Sequence, residues 1–385
     1  MAYDQNHPTL AITLKNLGSN LRRLGKHEEA LKCLERALTI EEMAYDQNHP
    51  TLAGTLNNLG SNLRHLGKHE EAHKCLERAL TIQEMVYELN HPTLAITLNN
   101  LGSNHLHLGK HEEAHKCLER ALTIKEMAYD QNHPTLAITL NNLGSNLRHL
   151  GKHEEAEKCL ERALTIQEMS YDLNHPTRAT TLSNLGSNLR HLGKHEEAHK
   201  CLERALTIQD MPYDQSHSTL AATLNNLGSN LRHLGKHEEA HKCLKRALTI
   251  PEMAYDQNHP TLAITLKNLG SNLRRLGKHE EAHKCLERAL TIEEMAYDQN
   301  HPTLAGTLNN LGSNLRHLGK HEEAHKCLER ALTIQEMVYE LNHPTLAITL
   351  NNLGSNHLHL GKHEEAHKCL ERALTIEEIA YDQNH

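Results

Sequence analysis

The pentapeptide His-Glu-Glu-Ala-His occurs seven times in 385 residues, first at His69–His73 and again from positions 111, 195, 237, 279, 321 and 363. On a helix, that spacing puts two imidazoles on one face beside a carboxylate. It is the arrangement by which zinc proteases hold their metal and place a base. An active centre of that kind needs one such pair, a third ligand and a cleft, whereas here the motif returns every 42 residues. The first unit reads HEEAL from His27 and the fourth HEEAE from His153, so the pattern tolerates loss of the second histidine. The expectation is no catalytic site, no metal site and no cofactor. Adventitious zinc or nickel binding at pairs such as His69 and His73 is the most the motif would do.

The nine cysteines, Cys33, Cys75, Cys117, Cys159, Cys201, Cys243, Cys285, Cys327 and Cys369, also recur once per unit. An odd, evenly spaced set is not a disulfide framework. Equivalent residues of stacked helices lie about 10 Å apart, whereas a disulfide needs Cα atoms within about 7 Å. They read as small apolar core residues in a reducing, cytoplasmic setting. The 35 histidines make the surface pH-sensitive. Exposed imidazoles titrate near 6.5, so the surface should turn from acidic towards basic between about pH 7 and 6.

Net charge is -8 and aromatics are 3%, which argues against nucleic acid as a partner. No apolar run approaches the roughly 18 residues of a membrane helix, and no signal peptide opens the chain. No glycine-rich phosphate loop and no nucleophile–histidine grouping stands out from the repeat.

Nine units account for these regularities: 1–42, 43–84, 85–126, 127–168, 169–210, 211–252, 253–294, 295–336 and 337–378, with 379–385 beginning a tenth. In the second unit, Leu52, Leu56, Leu59, Leu63 and Leu66 follow steps of 4, 3, 4 and 3, a helical stripe. Asn48 or His49 caps this helix, Pro50 sits in its first turn and Gly67 ends it. A second helix, from about Lys68 to Val86, carries Ala72, Cys75, Leu76, Ala79, Leu80, Ile82 and Met85. Gly60 and Ala72 mark where the two backbones approach. A lone hairpin cannot bury these faces, but stacked neighbours can.

At a higher level, residues 253–385 repeat 1–133 with three changes: Leu31 to His283, Lys125 to Glu377 and Met127 to Ile379. This is either a duplication or a gene-assembly product. The middle is least regular, with Arg178 and Thr180 for the usual Leu and Ile, and Ser183, Ser216 and Ser218 out of pattern. Pro212 and Pro251 fall in last turns. Either a kink or hinge near 205–220 or local variation without consequence follows.

Leu56-x-x-Leu59-Gly60-x-x-Leu63, then Gly67, Ala72, Leu76 and Ala79-Leu80, resembles the tetratricopeptide repeat pattern. The 42-residue period and the strings NHPTLA, LNNLG and LERALTI resemble its kinesin light chain type. The resemblance covers all nine units and implies an all-α, right-handed α-solenoid superhelix of nine helix-turn-helix repeats. Leu63, His69 and Leu76 stand where the family carries aromatics, so His69 should pack between helices. The coiled-coil segment of kinesin light chains is absent from the chain.

The resemblance further implies that the face of the first helix opposite its Leu stripe lines a concave groove where peptides bind. That face carries Asn57, Asn58, Ser61, Arg64 and His65 in the second unit. Its equivalents are Lys15, Asn16 and Arg22 in the first, Asn99 and Asn100 in the third, Asn141, Asn142 and Arg148 in the fourth, and Asn184 and Arg190 in the fifth. Beyond them come Asn225, Asn226 and Arg232, then Lys267, Asn268 and Arg274, then Asn309, Asn310 and Arg316, and finally Asn351 and Asn352. No Asp or Glu occurs in any first helix, so an acidic chain should have a cationic, amide-rich inner surface. Asn bonds peptide backbone and Arg grips carboxylates bidentately. Leu106 and Leu358 replace Arg as apolar stations.

The expected function is a protein-interaction scaffold, not an enzyme, that binds extended or acidic peptide segments. The alternative is a structural spacer or self-associating rod within a larger protein. Near-identity of the units favours the rod, and so do terminal units that lack the polar character of caps. The same feature suggests a fragment, or ends covered by a partner through end-to-end self-association.

Overall fold

A computed structural model describes residues 7–211, 217–254 and 260–382. Every regular element among them is an α-helix. Two compact units divide the chain, 1–194 and 195–385. The first holds α1 (Pro8–Arg23), α2 (His27–Ala44), α3 (Pro50–His65), α4 (His69–Val86), α5 (Pro92–His107), α6 (His111–Ala128), α7 (Pro134–His149), α8 (His153–Ser170) and α9 (Pro176–His191). The second holds α10 (His195–Gln209), α11 (His217–His233), α12 (His237–Ala254), α13 (Pro260–Arg275), α14 (His279–Ala296), α15 (Pro302–His317), α16 (His321–Val338), α17 (Pro344–His359) and α18 (His363–Asp382). These are eighteen helices in nine helix-turn-helix repeats.

Local chemistry sets the helix ends. His49, rather than Asn48, is the N-cap of α3: its Nδ1 accepts from the Thr51 backbone N–H at 3.3 Å, with Pro50 in the first turn. At the other end Gly67 takes φ +75°. There the Lys68 N–H bonds the Leu63 carbonyl (3.0 Å) and the Gly67 N–H bonds that of Arg64 (3.1 Å), a Schellman closure open to glycine at little strain. The hairpin then closes on Gly60, where a Cβ would stand 2.6 Å from Leu76 Cγ.

Each core layer draws on two successive repeats. Leu52, Ala53 and Leu56 of α3 pack on Ala79 and Ile82 of α4, and Leu38 of the preceding repeat and Tyr45, the C-cap of α2, close the cluster. Beside it, Leu59, Leu63 and Ala72 meet Leu31 and Leu34. Polar groups repeat the same stitching. Fully buried Asn62 donates from Nδ2 to the His27 carbonyl at 2.9 Å. Asn104, Asn146 and Asn188 do the same one repeat on, and Asn230, Asn272, Asn314 and Asn356 follow suit in the second unit. Second helices are also linked by arginine–carboxylate pairs, such as Arg78 to Glu42 (2.5 Å) and Arg162 to Glu126 (2.6 Å).

The irregular middle differs from expectation in part. Pro251 does not stop α12, which continues to Ala254. α10 has fifteen residues where α4 has eighteen, and 212–216, the middle of the window expected to kink at 205–220, lie outside the described residues. Arg178, in a leucine position, is 1% exposed and donates to the Glu168 carboxylate at 2.7 Å.

Candidate functional site

The face of the first helices that carries their asparagines and arginines is built in three bands at helical spacing. Near the start of five first helices stands an isoleucine, and Ile12, Ile96, Ile138, Ile264 and Ile348 are all between 45% and 58% exposed. Asparagines occupy the middle, and arginine or histidine the last turn.

The asparagines are largely engaged with one another. In the first unit Asn58 Nδ2 donates to Ser19 Oγ (3.3 Å), Asn100 to Asn57 Oδ1 (3.0 Å), Asn142 to Asn99 (3.3 Å) and Asn184 to Asn141 (3.0 Å). In the second, Asn352 donates to Asn309 (3.0 Å), and buried Asn225 donates to Thr265 Oγ1 (2.8 Å). Asn16 is exposed, while Asn226, Asn268 and Asn310 are half-buried. The ladder forms because the second asparagine of one first helix meets the first asparagine of the preceding one, 43 residues back and one position out of register with the 42-residue repeat.

The arginines expected to be exposed are half-buried at Arg64, Arg148, Arg232 and Arg316. Arg22 donates to Ser61 Oγ at 2.5 Å. Arg148 Nη2 lies 3.0 Å from His149 Nε2, and Arg190 Nη2 3.4 Å from His191 Nε2. Burial lowers the guanidinium pKa of Arg22, Arg64 and Arg148; the like charge of Arg23 acts second on Arg22, and that of Arg22 on Arg64. Leu358 is exposed and Leu106 half-buried at the equivalent position.

Carboxylates do reach this face, from within. Glu41 is 1% exposed on the second helix, and its carboxylate lies 3.7 Å from Lys15 Nζ. Glu293 lies 3.5 Å from Lys267, and Asn351 donates to Glu377 at 3.0 Å. The two lysines are therefore partly neutralised. In the third repeat Lys125 fills the glutamate position and donates to the Thr135 carbonyl (3.0 Å) and Thr139 Oγ1 (2.7 Å); burial pushes it down to about 8.

The two histidines of HEEAH part company. His69 stacks on His107 with centroids 4.8 Å apart. His73 Nε2 instead meets Glu77 at 3.3 Å, and its ring stands edge-on to His105 at 5.0 Å. Among the described residues no group of three or more His, Cys, Asp or Glu could hold a metal ion. The stacked pairs recur as His27–His65, His111–His149 and His153–His191. Burial, then the neighbouring arginine, holds His65, His107 and His191 at about 4 and His149 at about 3. The uniform titration near 6.5 expected from sequence does not apply to them.

All nine thiols are half-buried. Cys75 packs against both adjoining core clusters, and burial pushes its thiol up and that of Cys117 to about 11. A cavity of about 540 Å³ beside α10 and α12 is lined by His199, Glu203, Asp210, Lys242 and Cys243, and Arg246 takes the Asp210 carboxylate. No described helix is long and apolar enough to cross a membrane.

The family model described as tetratricopeptide repeat matches residues 2–43, 51–127, 135–210, 219–294 and 303–378. Among solved structures, a Rap protein complexed with Competence and Sporulation Factor superposes with TM-score 0.69 at 17% identity, over 98% of this chain and 100% of that one. The apo quorum sensor NprR from B. thuringiensis gives TM-score 0.66 at 16% identity, over 95% and 98%. A Podospora anserina protein described as a kinesin light chain with nearly identical TPR-like repeats is 24% identical, over 53% of this chain and 96% of its own, with TM-score 0.45. No curated protein matches the chain.

Proposed function

Because the chain belongs to the tetratricopeptide repeat family, we propose that it is a protein-interaction scaffold whose first-helix face takes acidic peptide segments. The observation that carries this reading is the banding of that face. Exposed isoleucines of five first helices, Ile12, Ile96, Ile138, Ile264 and Ile348, stand on one side, half-buried arginines with no carboxylate on their own helices on the other, and an amide ladder between them. An apolar side chain would rest on the isoleucines and a carboxylate would meet the guanidinium forks bidentately. Only the amides not held in the ladder would bond peptide backbone. A Rap protein of the same fold is seen complexed with Competence and Sporulation Factor, which supports a binding rather than a catalytic role. The free thiols suit a reducing compartment such as the cytoplasm.

A labelled peptide alternating Glu and Leu, titrated by fluorescence polarisation, tests it. Saturable binding should weaken at least about tenfold when Arg64, Arg148, Arg232 and Arg316 become Gln, each pair contributing about 1.5 kcal/mol or more. Glutamine is chosen because the arginine stems are half-buried. Equal binding by both proteins, or none, overturns the groove reading. The ladders of Asn and of Arg–Glu pairs favour the alternative, a structural rod, which would then stand.

A further inference from the structure

The last turns of α11, α13 and α15 carry Arg232, Arg274, Arg275 and Arg316. Arg232, Arg274 and Arg316 are equivalent positions on helices that touch in sequence, so they stand in a row at about the 10 Å spacing of packed helices. Arg275 is exposed beside it. The crowding arises because the seventh repeat copies the first, with its Arg-Arg pair, into the interior of the array. In the first unit the corresponding row is only Arg22, Arg23 and Arg64, and Leu106 follows.

Nothing among the described residues answers this charge. None of the four guanidinium groups has a hydrogen-bond or ion-pair partner there, unlike Arg22, which holds Ser61. The Nε atoms of Arg274 and Arg316 are buried without a partner. The charged groups that act on Arg274 after burial are Arg275, Arg232 and Arg316, all of one sign. Arg316, His279, Arg274 and Arg275 surround His317. A donor array of this density, desolvated and self-repelling, is complete only with an anion.

We infer that Arg232, Arg274, Arg275 and Arg316 form a binding site for a phosphoryl group. A carboxylate brings one charge and two oxygens. A phosphate monoester brings about -1.5 to -2 and three strong acceptors, which suits several guanidinium groups of neighbouring helices whose charges act on one another. The site lies on the face assigned above to peptides, and it rests on that assignment only for a phosphorylated segment as the source of the group.

Sodium pyrophosphate is titrated by calorimetry at fixed ionic strength, with glutarate as the dicarboxylate control. Pyrophosphate should bind saturably, at least about tenfold tighter than glutarate. Arg274→Ser/Arg275→Ser should weaken it at least about tenfold yet raise Tm without anion, because repulsion is relieved. A merely structural role would lower Tm. Arg275→Ser alone, at the exposed position, repeats the test should the double variant misfold, and Arg36→Ser, at an exposed second-helix position, should leave binding unchanged. Glutarate as tight as pyrophosphate, or affinity untouched by the variants, overturns the site. A Glu-Leu peptide with and without one phosphoserine separates a phosphorylated segment from free phosphate as the source. Pyrophosphate binding without peptide binding would sink only the groove reading, and peptide binding without pyrophosphate binding only this one.

Discussion

Histidines are paired face to face at the repeat boundaries of the first unit, as in His27–His65 and His69–His107. In the unfolded chain such rings take up protons near 6.5. In the folded chain His65, His107 and His191 do so only at about 4, and His149 at about 3. Between those values the unfolded state holds more protons, so their stabilisation is full above about pH 6.5 and is lost as pH falls towards 4. Tm followed by circular dichroism should be level from pH 8 to 7 and fall from 6.5 to 4, with a shallower fall in His65→Gln/His107→Gln. A wild-type Tm that holds steady down to pH 4 would contradict this. Arg178 is the residue-scale anomaly: a charged side chain 2% exposed whose partner Glu168 is 47% exposed. Replacing a buried ion pair by an apolar side chain is often stabilising by about 1–4 kcal/mol. Arg178→Leu, which restores the repeat's own residue, should therefore raise the urea midpoint, whereas Glu168→Gln, which leaves the guanidinium uncompensated, should lower it.

Two glycines of the same helix separate packing from propensity. In α3, Gly60 lies against Leu76 and the Ala72 carbonyl, so an added Cβ would sit 2.6 Å from Leu76 Cγ. Gly54 has nothing within 4 Å of an added Cβ. Gly60→Ala should destabilise by about 1–3 kcal/mol through overpacking, and Gly54→Ala should stabilise by about 0.5–1 kcal/mol through helix propensity. Chemical denaturation of both variants checks the opposite signs, and matching signs would show that the hairpin contact is looser than the geometry states. At this scale the sequence was most legible. Pro50, Gly67 and the leucine steps mark helix limits because they act within one segment. The cap was narrowed to two residues and His49 proved to fill it. What was not legible lies between segments. The exposure of Arg64, the engagement of Asn57 and Asn100, and the reach of Glu41 to Lys15 all depend on where the next helix stands. Periodicity on one helix does not report that distance. The Asn62 stitch left only a faint signal, an asparagine on the apolar side of every first helix.

For the whole molecule, near-identity of the repeats turns architecture into arithmetic of neighbours. In a repeat array, stability is approximately a sum of unit terms and nearest-neighbour interfaces. If residues 43–84 are excised, the first repeat meets the third. Asn104 then falls where Asn62 held the His27 carbonyl, Asn100 where Asn58 reached Ser19, and Arg120 where Arg78 paired with Glu42. Each of these polar contacts finds an equivalent, while in the core His105 takes the place of Leu63 against Leu31, so one core layer is lost and one apolar contact at the new boundary becomes polar. The shortened protein should keep its helicity per residue. Its urea m-value should drop by about one ninth if unfolding stays cooperative, since m follows the surface exposed. Excising 43–63, half the period, supplies the contrast. That cut joins the end of α2 to the tail of a first helix, leaves a second helix without its partner, and should unfold the adjoining repeats. If the half-period deletion were as helical and as stable as the full one, the 42-residue hairpin would not be the unit of folding. The unmatched Glu42, His27 carbonyl and Leu38 would then have to find partners that no repeat of this sequence provides.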